Sequence, residues 1–380
     1  MPITSPQPFT LAAPQAALDD LRARLAATRW PDEIDGAGWD YGTSLAYLRE
    51  LAAYWQGGFD WRKQEAALNA FPHYRLDVDG LGLHIIHQRG RGPNPIPLIL
   101  THGWPSTFYE LTRVIPLLTD PAAHGADPAL SFDVVVPSLP GFGFSDHPRQ
   151  PGMVVSRVAE LWVALMERLG YPRFAAFGSD IGAGVTNRLG LNHPDHLLGI
   201  YVLSVMSPYR GPGSAPLSEA EQAFVALNER WEEDEGAYGH QQATRPQTLA
   251  YGLNDSPDGL AAWIVEKFRA WGDTHGDVET RFSKDDLLTT VTLYWLTQTI
   301  GSSMRMYYEH RRYPRPLGPA DRVRVPSAIG LTTEAVDHAP REWAERTYNI
   351  QRWTEFPRGG HFFALEEPEL LAAELRTFFH

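Results

Sequence analysis

The chain has 380 residues, of which 43% are apolar and 21% charged, a makeup that excludes a disordered or fibrous chain and leaves room for a large core with sizeable appendages. A formal charge of −13 argues against nucleic acid or an anionic membrane surface as partner, and the absence of cysteine removes disulfides, thiol nucleophiles and thiolate metal sites. No stretch approaches the roughly eighteen apolar residues of a membrane span, and no basic region leads into an apolar run at the N-terminus, so a soluble cytoplasmic protein without a membrane anchor is expected.

After a proline-containing lead-in, Leu18, Leu21 and Leu25 recur at helical spacing, and Trp30-Pro31 stops that helix. A second helix is predicted from Ser44 to Trp55, amid Trp39, Tyr41, Tyr47, Tyr54, Phe59 and Trp61. Rings in such number are expected to pack this extension onto the main body rather than to meet a substrate. From Tyr74 the period drops to two, and residues 74–78, the turn Asp79-Gly80 and residues 83–87 read as a β-hairpin near a sheet edge.

Short buried strands at 97–100, 132–136, 173–177 and 199–203 then alternate with helices, one of them marked by Val158, Leu161, Trp162, Leu165 and Leu169 and stopped at Gly170. Such alternation predicts an α/β fold with a mostly parallel sheet. Between about residues 207 and 317 the strand signal vanishes, and helical patterns cover 218–231, 258–271 and 287–306. This is a helical insertion. Strands return at 323–331 and 350–356, and Pro368 opens a terminal helix with Leu371, Leu375, Phe378 and Phe379 on its apolar face. The acidic run 232–235 reads as a solvated face.

The most informative turn is Gly178-Ser179-Asp180-Ile181-Gly182, between the strand at 173–177 and a helix over 183–191. Glycines on both sides of a central residue allow a sharp strand-to-helix elbow that lifts one side chain into an exposed position. Here that side chain is a carboxylate. A glycine-rich turn with a capping Asp is the structural alternative, and a nucleophilic carboxylate needs three further parts: oxyanion donors, a base for water and a group that orients the base. His102-Gly103-Trp104-Pro105 follows the first buried strand, so the N–H groups of Trp104 and Ile181 are candidate oxyanion donors. His361, on the turn Arg358-Gly359-Gly360-His361 after the last strand, is the candidate base. For the orienting acid, chain order in α/β-hydrolase triads leaves Glu334 and Asp337, and Glu334 lies closer to the strand end.

A carboxylate nucleophile suits displacement at a saturated carbon, giving an alkyl ester that is then hydrolysed at its own carbonyl. A halide leaving group needs only weak donors, whereas an epoxide oxygen leaves as an alkoxide and needs an acid such as tyrosine, with an ordinary pKa of about 10. Tyr209, Tyr238, Tyr251, Tyr294, Tyr307 and Tyr308 lie in or beside the helical insertion, and spacing alone does not choose among them.

Together, His102-Gly-Trp-Pro105, Pro137-Ser-Leu-Pro-Gly-Phe-Gly-Phe-Ser145, the Asp180 elbow, the segment 253–262 and the segment 358–368 resemble the microsomal-type epoxide hydrolases over nearly the whole chain. The aromatic extension resembles that family's N-terminal domain. The resemblance implies an α/β-hydrolase fold with a helical cap inserted before the acid strand and a helical N-terminal extension wrapping the core. It implies a division into 1–72 (extension), 73–206 and 318–380 (core) and 207–317 (cap). It further implies hydrolysis of epoxides to vicinal diols without cofactor or metal, with Asp180 as nucleophile, His361 as base, Glu334 as orienting acid and Tyr238 and Tyr307 as ring-opening acids. Tyr308 is the neighbour most easily confused with Tyr307. Small epoxides and water are the expected partners, and a homo-oligomer is compatible with the sequence. One departure stands out: Ile181 occupies a position where the family often carries tryptophan, so that wall is expected to be aliphatic. A haloalkane or haloacid dehalogenase would share Asp180 and His361 without the tyrosine pair, and a non-catalytic ligand-binding protein would keep only the fold.

Overall fold

The computed structural model describes residues 5–380, the side chain of Asp337 apart. Its centre is a nine-stranded sheet made of β1 (Gln7–Phe9), β2 (His73–Val78), β3 (Leu81–Gln88), β4 (Ile96–Thr101), β5 (Phe132–Pro137), β6 (Phe174–Gly178), β7 (Leu197–Val202), β8 (Val323–Leu331) and β9 (Tyr348–Glu355). The strand order is β1-β2-β3-β5-β4-β6-β7-β8-β9. β1, β2, β3 and β5 pair antiparallel, while every pairing from β5 through β4 to β9 is parallel. This is the mostly parallel α/β sheet that the alternating sequence pattern predicts, in the α/β-hydrolase form that the resemblance implies.

Burial explains the arrangement. β5 and β6 are buried at every residue, as expected of strands with helices on both faces, and they read in sequence as apolar runs, broken in β5 only by Asp133. The helix Val155–Arg168 lays Val158, Leu161, Trp162 and Leu165 into that core, as its spacing predicts. Because β4, β6, β8 and β9 run the same way, the segments leaving them emerge along one edge of the sheet. A ligand crevice is expected outside such carboxyl ends.

Between β7 and β8 the described chain is helical, with helices Glu219–Asp234, Ala237–Thr244, Pro246–Leu253, Pro257–Trp271, Lys284–Thr297 and Ile300–Arg312. Two of these, Ala237–Thr244 and Pro246–Leu253, have no counterpart in the sequence reading, because eight-residue helices show too few turns for a period. The pattern read over 287–306 is two helices, interrupted at Gln298, whose φ of 54° places it in the left-handed region. The apolar spacing runs across the break and conceals it.

The N-terminal extension packs on the insertion. Its helices fasten to the insertion: Trp55 Nε1 donates to Thr292 Oγ1 (3.0 Å), Tyr54 Oη to Asp285 Oδ1 (2.8 Å), Thr43 Oγ1 to Ala262 O (2.8 Å), and Arg24 pairs with Asp255 (2.7 Å). Its first residues also add β1 to the sheet edge beside β2. The aromatic residues divide accordingly: Trp55 and Trp61 are buried, while Tyr41 is 83% exposed.

Candidate active site

Asp180 stands on the elbow between β6 and the helix Ile181–Asn192, with φ 50° and ψ −124°. L side chains rarely adopt such a backbone, and holding one there costs on the order of 1–3 kcal/mol. The flanking glycines show what imposes it. A Cβ on Gly178 would lie 2.1 Å from Gly182 O, and one on Gly182 would lie 2.0 Å from Thr101 O. The elbow is thus pressed against the end of β4 so tightly that only hydrogen fits at both positions.

The segment after β4 completes the cradle. Trp104 N–H donates to Asp180 Oδ1 at 2.7 Å, and a Cβ on Gly103 would collide with that same oxygen at 2.2 Å. His102 is fully buried and structural: its Nε2 accepts the Leu139 N–H (3.2 Å) while Nδ1 meets Gly103 O (3.0 Å), and burial lowers its pKa to about 4. A neutral His102 therefore pins the Trp104 turn to the loop after β5. Ile181 supplies the first amide of the elbow helix, and its side chain packs partly buried against the core.

The other oxygen of the nucleophile candidate faces His361, whose Nε2 lies 3.8 Å from Asp180 Oδ2. Glu334 sits in the loop after β8, half-buried, with its backbone N–H donating to Thr332 Oγ1 (3.2 Å). The preceding Thr333 donates both its N–H (2.8 Å) and its hydroxyl (3.0 Å) to Gly359 O, which ties the Glu334 loop to the His361 loop. The side chain of Asp337, the other acid considered from sequence, lies outside what the structure describes.

Tyr238 and Tyr307 cover Asp180 from the helical insertion. The Tyr238 ring stacks on Trp104 (5.2 Å, 9°), and Tyr307 meets both Trp104 and Tyr238 at 6.0 Å between centroids. Burial first, and then the charge of Asp180, raises the pKa of Tyr238; burial first, and then Tyr238 and Asp180, raises that of Tyr307. The remaining tyrosines are elsewhere. Tyr308 carries Arg312 over its ring (5.1 Å), Tyr251 is 71% exposed, Tyr209 reaches Pro212 O, and Tyr294 donates to Ser106 O (2.9 Å) beneath the Trp104 turn.

Two residues of the site have no sequence signal. Trp271, the last residue of its helix, bridges the two halves, with its ring 5.1 Å from His361 and 4.9 Å from Tyr238. Glu110 is buried one turn beyond Trp104, and burial first, with the neighbouring charges of Asp180 and Glu366 adding, pushes its pKa up to about 8. A cavity of about 420 Å³ has Val205, Phe224, Trp231, Val336 and Trp343 among its walls; none of the candidate catalytic residues lines it, and it meets the site only through Trp231, whose ring lies tilted 6.2 Å from that of Trp271. A larger cleft of about 1460 Å³ lies away from the chemistry, between the β2–β3 turn and the loop 143–153, and none of the candidate catalytic residues lines it.

The arrangement brings together a carboxylate, an imidazole 3.8 Å from one of its oxygens, the Trp104 amide on the other and two buried phenols from the helical insertion. This geometry can place a nucleophile on one side of a strained ring and an acid on the other. Residues 6–111 match the family profile described as epoxide hydrolase N terminus, and residues 96–368 match the profile of the alpha/beta hydrolase fold. Over 374 residues the chain is 46% identical to a Stigmatella aurantiaca protein provisionally classed as an epoxide hydrolase, covering 98% of this chain and 84% of that one. It is 34% identical to epoxide hydrolase 1 of Sus scrofa, covering 98% and 88%. Among solved structures, the juvenile hormone epoxide hydrolase of Bombyx mori superimposes with a TM-score of 0.90 at 28% identity, covering 99% of this chain and 94% of that one. The Aspergillus niger epoxide hydrolase follows at 0.85 and 30%, covering 98% and 96%. Among the described residues no helix is long and apolar enough to cross a membrane.

Proposed function

Because the chain belongs to the microsomal-type epoxide hydrolases and is an epoxide hydrolase of the α/β-hydrolase fold, we propose that it works in two covalent steps centred on Asp180. In the first, Asp180 Oδ2 attacks an epoxide carbon, the carbon–oxygen bond breaks, and the ring oxygen takes its proton from the Tyr238–Tyr307 pair. The product is an alkyl ester of Asp180. In the second, His361, oriented by Glu334, removes a proton from water, whose oxygen adds to the ester carbonyl while the Trp104 and Ile181 amides hold the oxyanion. Collapse expels the diol, which is protonated by His361, and the remaining water proton returns to the tyrosine pair through solvent.

The observation that carries this reading is the split environment of one carboxylate: Oδ1 is held by the Trp104 N–H at 2.7 Å, and Oδ2 lies 3.8 Å from the His361 imidazole. In this reading 207–317 is the acid-bearing cap, 1–72 its fastening to the core formed by 73–206 and 318–380, and the substrate a small epoxide handled in the cytoplasm. The test is a single turnover of styrene oxide in heavy-oxygen water. The diol should first carry ordinary oxygen from Asp180, and immediate appearance of solvent oxygen would rule out the covalent route.

Tyrosine acids favour an epoxide over a halide as the group displaced. Replacing Tyr238 or Tyr307 singly by phenylalanine should slow alkylation by about 10²-fold, and both together by about 10⁴-fold, since positioned acids contribute of that order. Any residual haloalkane reaction should change far less, and equal losses on both substrates would favour the dehalogenase reading. The pH dependence follows from the sign of the shifts. A phenol pKa raised by burial and by Asp180 keeps the acid form past its ordinary titration range, so wild-type alkylation should stay flat up to about pH 10. Pre-steady-state alkylation rates measured against pH would show this, and an alkaline decline beginning below pH 9 would contradict it.

A further inference from the structure

We propose that Glu366 is a positioning residue for His361, holding the base against the cap so that the ester-hydrolysis step can proceed; the inference rests on the two-step reading above. Its basis is the backbone of the His361 loop, in which four consecutive amides are committed. Gly359 N–H donates to Asp273 Oδ2 (2.9 Å), Gly360 N–H to Glu366 Oε2 (2.9 Å), His361 N–H to Trp271 O (2.9 Å) and Phe362 N–H to Glu366 Oε1 (3.0 Å). Glu366 thus brackets His361 on both sides. The same Oε2 accepts the Asp273 N–H at 2.9 Å, immediately beyond the cap helix Pro257–Trp271, so one carboxylate joins the core loop to the cap.

The close approach is built into the sequence on both sides. A Cβ on Gly360 would lie 2.5 Å from Asp273 N and 2.6 Å from Trp271 O, and Gly359 has φ +95°, so glycines are required where the loop presses on the cap. A surrounding ring of charge fixes the partners of the staple. Arg281 Nη1 reaches Glu367 Oε1 (3.0 Å) and Arg281 also pairs with Asp273, while Arg358 Nε donates to Glu367 Oε1 (2.7 Å). Trp271, whose carbonyl takes the His361 N–H, has its ring against both the His361 and Tyr238 rings. Glu366 takes the amides on either side of His361 directly, whereas it reaches Tyr238 only through Asp273 and the Trp271 ring. It should therefore act on the step that uses the base, not on the one that uses the tyrosines.

Two variants of the full chain, Glu366→Ala and Glu366→Gln, test this in single turnovers of styrene oxide followed by rapid quench and intact-protein mass, with thermal unfolding as the check on folding. Alkylation should stay within about 3-fold of the unsubstituted enzyme, whereas ester hydrolysis should slow about 100-fold in Glu366→Ala, the scale of loss expected from displacing a catalytic group by an ångström. Glu366→Gln keeps the shape and part of the acceptor capacity, and should rescue hydrolysis to within about 10-fold. The alkyl-enzyme should then accumulate in both. Parallel loss of both steps, or unchanged hydrolysis in folded Glu366→Ala, would overturn the proposal; if the alanine variant does not fold, the glutamine variant decides, where hydrolysis slowed about 3- to 10-fold with alkylation unchanged supports it, and hydrolysis slowed less than about 3-fold, or both steps slowed alike, overturns it. His361→Gln serves as reference: no alkyl-enzyme there would refute the two-step reading itself, while alkyl-enzyme there and none in the Glu366 variants would refute only the positioning role.

Discussion

Asp180→Ala should lower diol formation by at least about 10⁴-fold, equivalent to roughly 5.4 kcal/mol of lost transition-state stabilisation, because a covalent route without its nucleophile has no first step. The loss should be confined to kcat. The phenols and the Trp104 and Trp271 rings around the site remain, so an epoxide should still bind with an affinity close to that of the intact protein. The fold should also survive. Asp180 is 20% exposed on its side chain, and its replacement removes one hydrogen bond, from Trp104 N–H, while the strained backbone of the elbow is held by Gly178 and Gly182 packing rather than by the carboxylate. Steady-state diol assay and equilibrium binding of a slowly reacting epoxide check both halves. Residual turnover above 1% in folded protein would remove Asp180 from the nucleophile's role.

His361→Gln should leave the first turnover of epoxide opening nearly intact and slow the second step by about 10³–10⁴-fold, the upper range for loss of a positioned general base. The geometry separates the steps. His361 Nε2 is 3.8 Å from Asp180 Oδ2, too far to hold the carboxylate by a direct hydrogen bond, so the attack of Oδ2 does not depend on that contact. Substrate should therefore consume one equivalent of enzyme and stop. Intact mass would rise by the mass of the epoxide, and the ester should persist through dialysis. A variant that neither turns over nor gains mass would show that the imidazole is needed for alkylation, contrary to the two-step reading.

The candidate site is legible in the sequence where a local rule carries chemistry. Gly178 and Gly182 mark the elbow by their own sterics, the two helical neighbours of the chain's parallel strands mark its sheet, and strand ends mark where Trp104, Glu334 and His361 emerge. Tyr238 and Tyr307 came from resemblance, since spacing left six tyrosines open, and only the packing against Trp104 separates this pair from Tyr308 and Tyr251. Trp271 and Glu366 were illegible for a different reason. A helix-terminal tryptophan and one of two glutamates before Pro368 look like ordinary helix-end residues, and their contacts join segments about ninety residues apart. β1 carries no sequence signal because three residues give no period, and the break at Gln298 is hidden because the apolar pattern continues through it.

The hydrogen bond from Trp104 to Oδ1 makes the two oxygens of Asp180 unequal before any substrate arrives. If that bond persists through the cycle, Oδ1 is never the atom transferred: each diol carries away the oxygen that faced His361, and each water replaces it at the same position. Asp180 then keeps one permanent oxygen and one that is renewed at every turnover. The residue behaves as a relay that passes solvent oxygen to the product one cycle late, with a memory of a single atom.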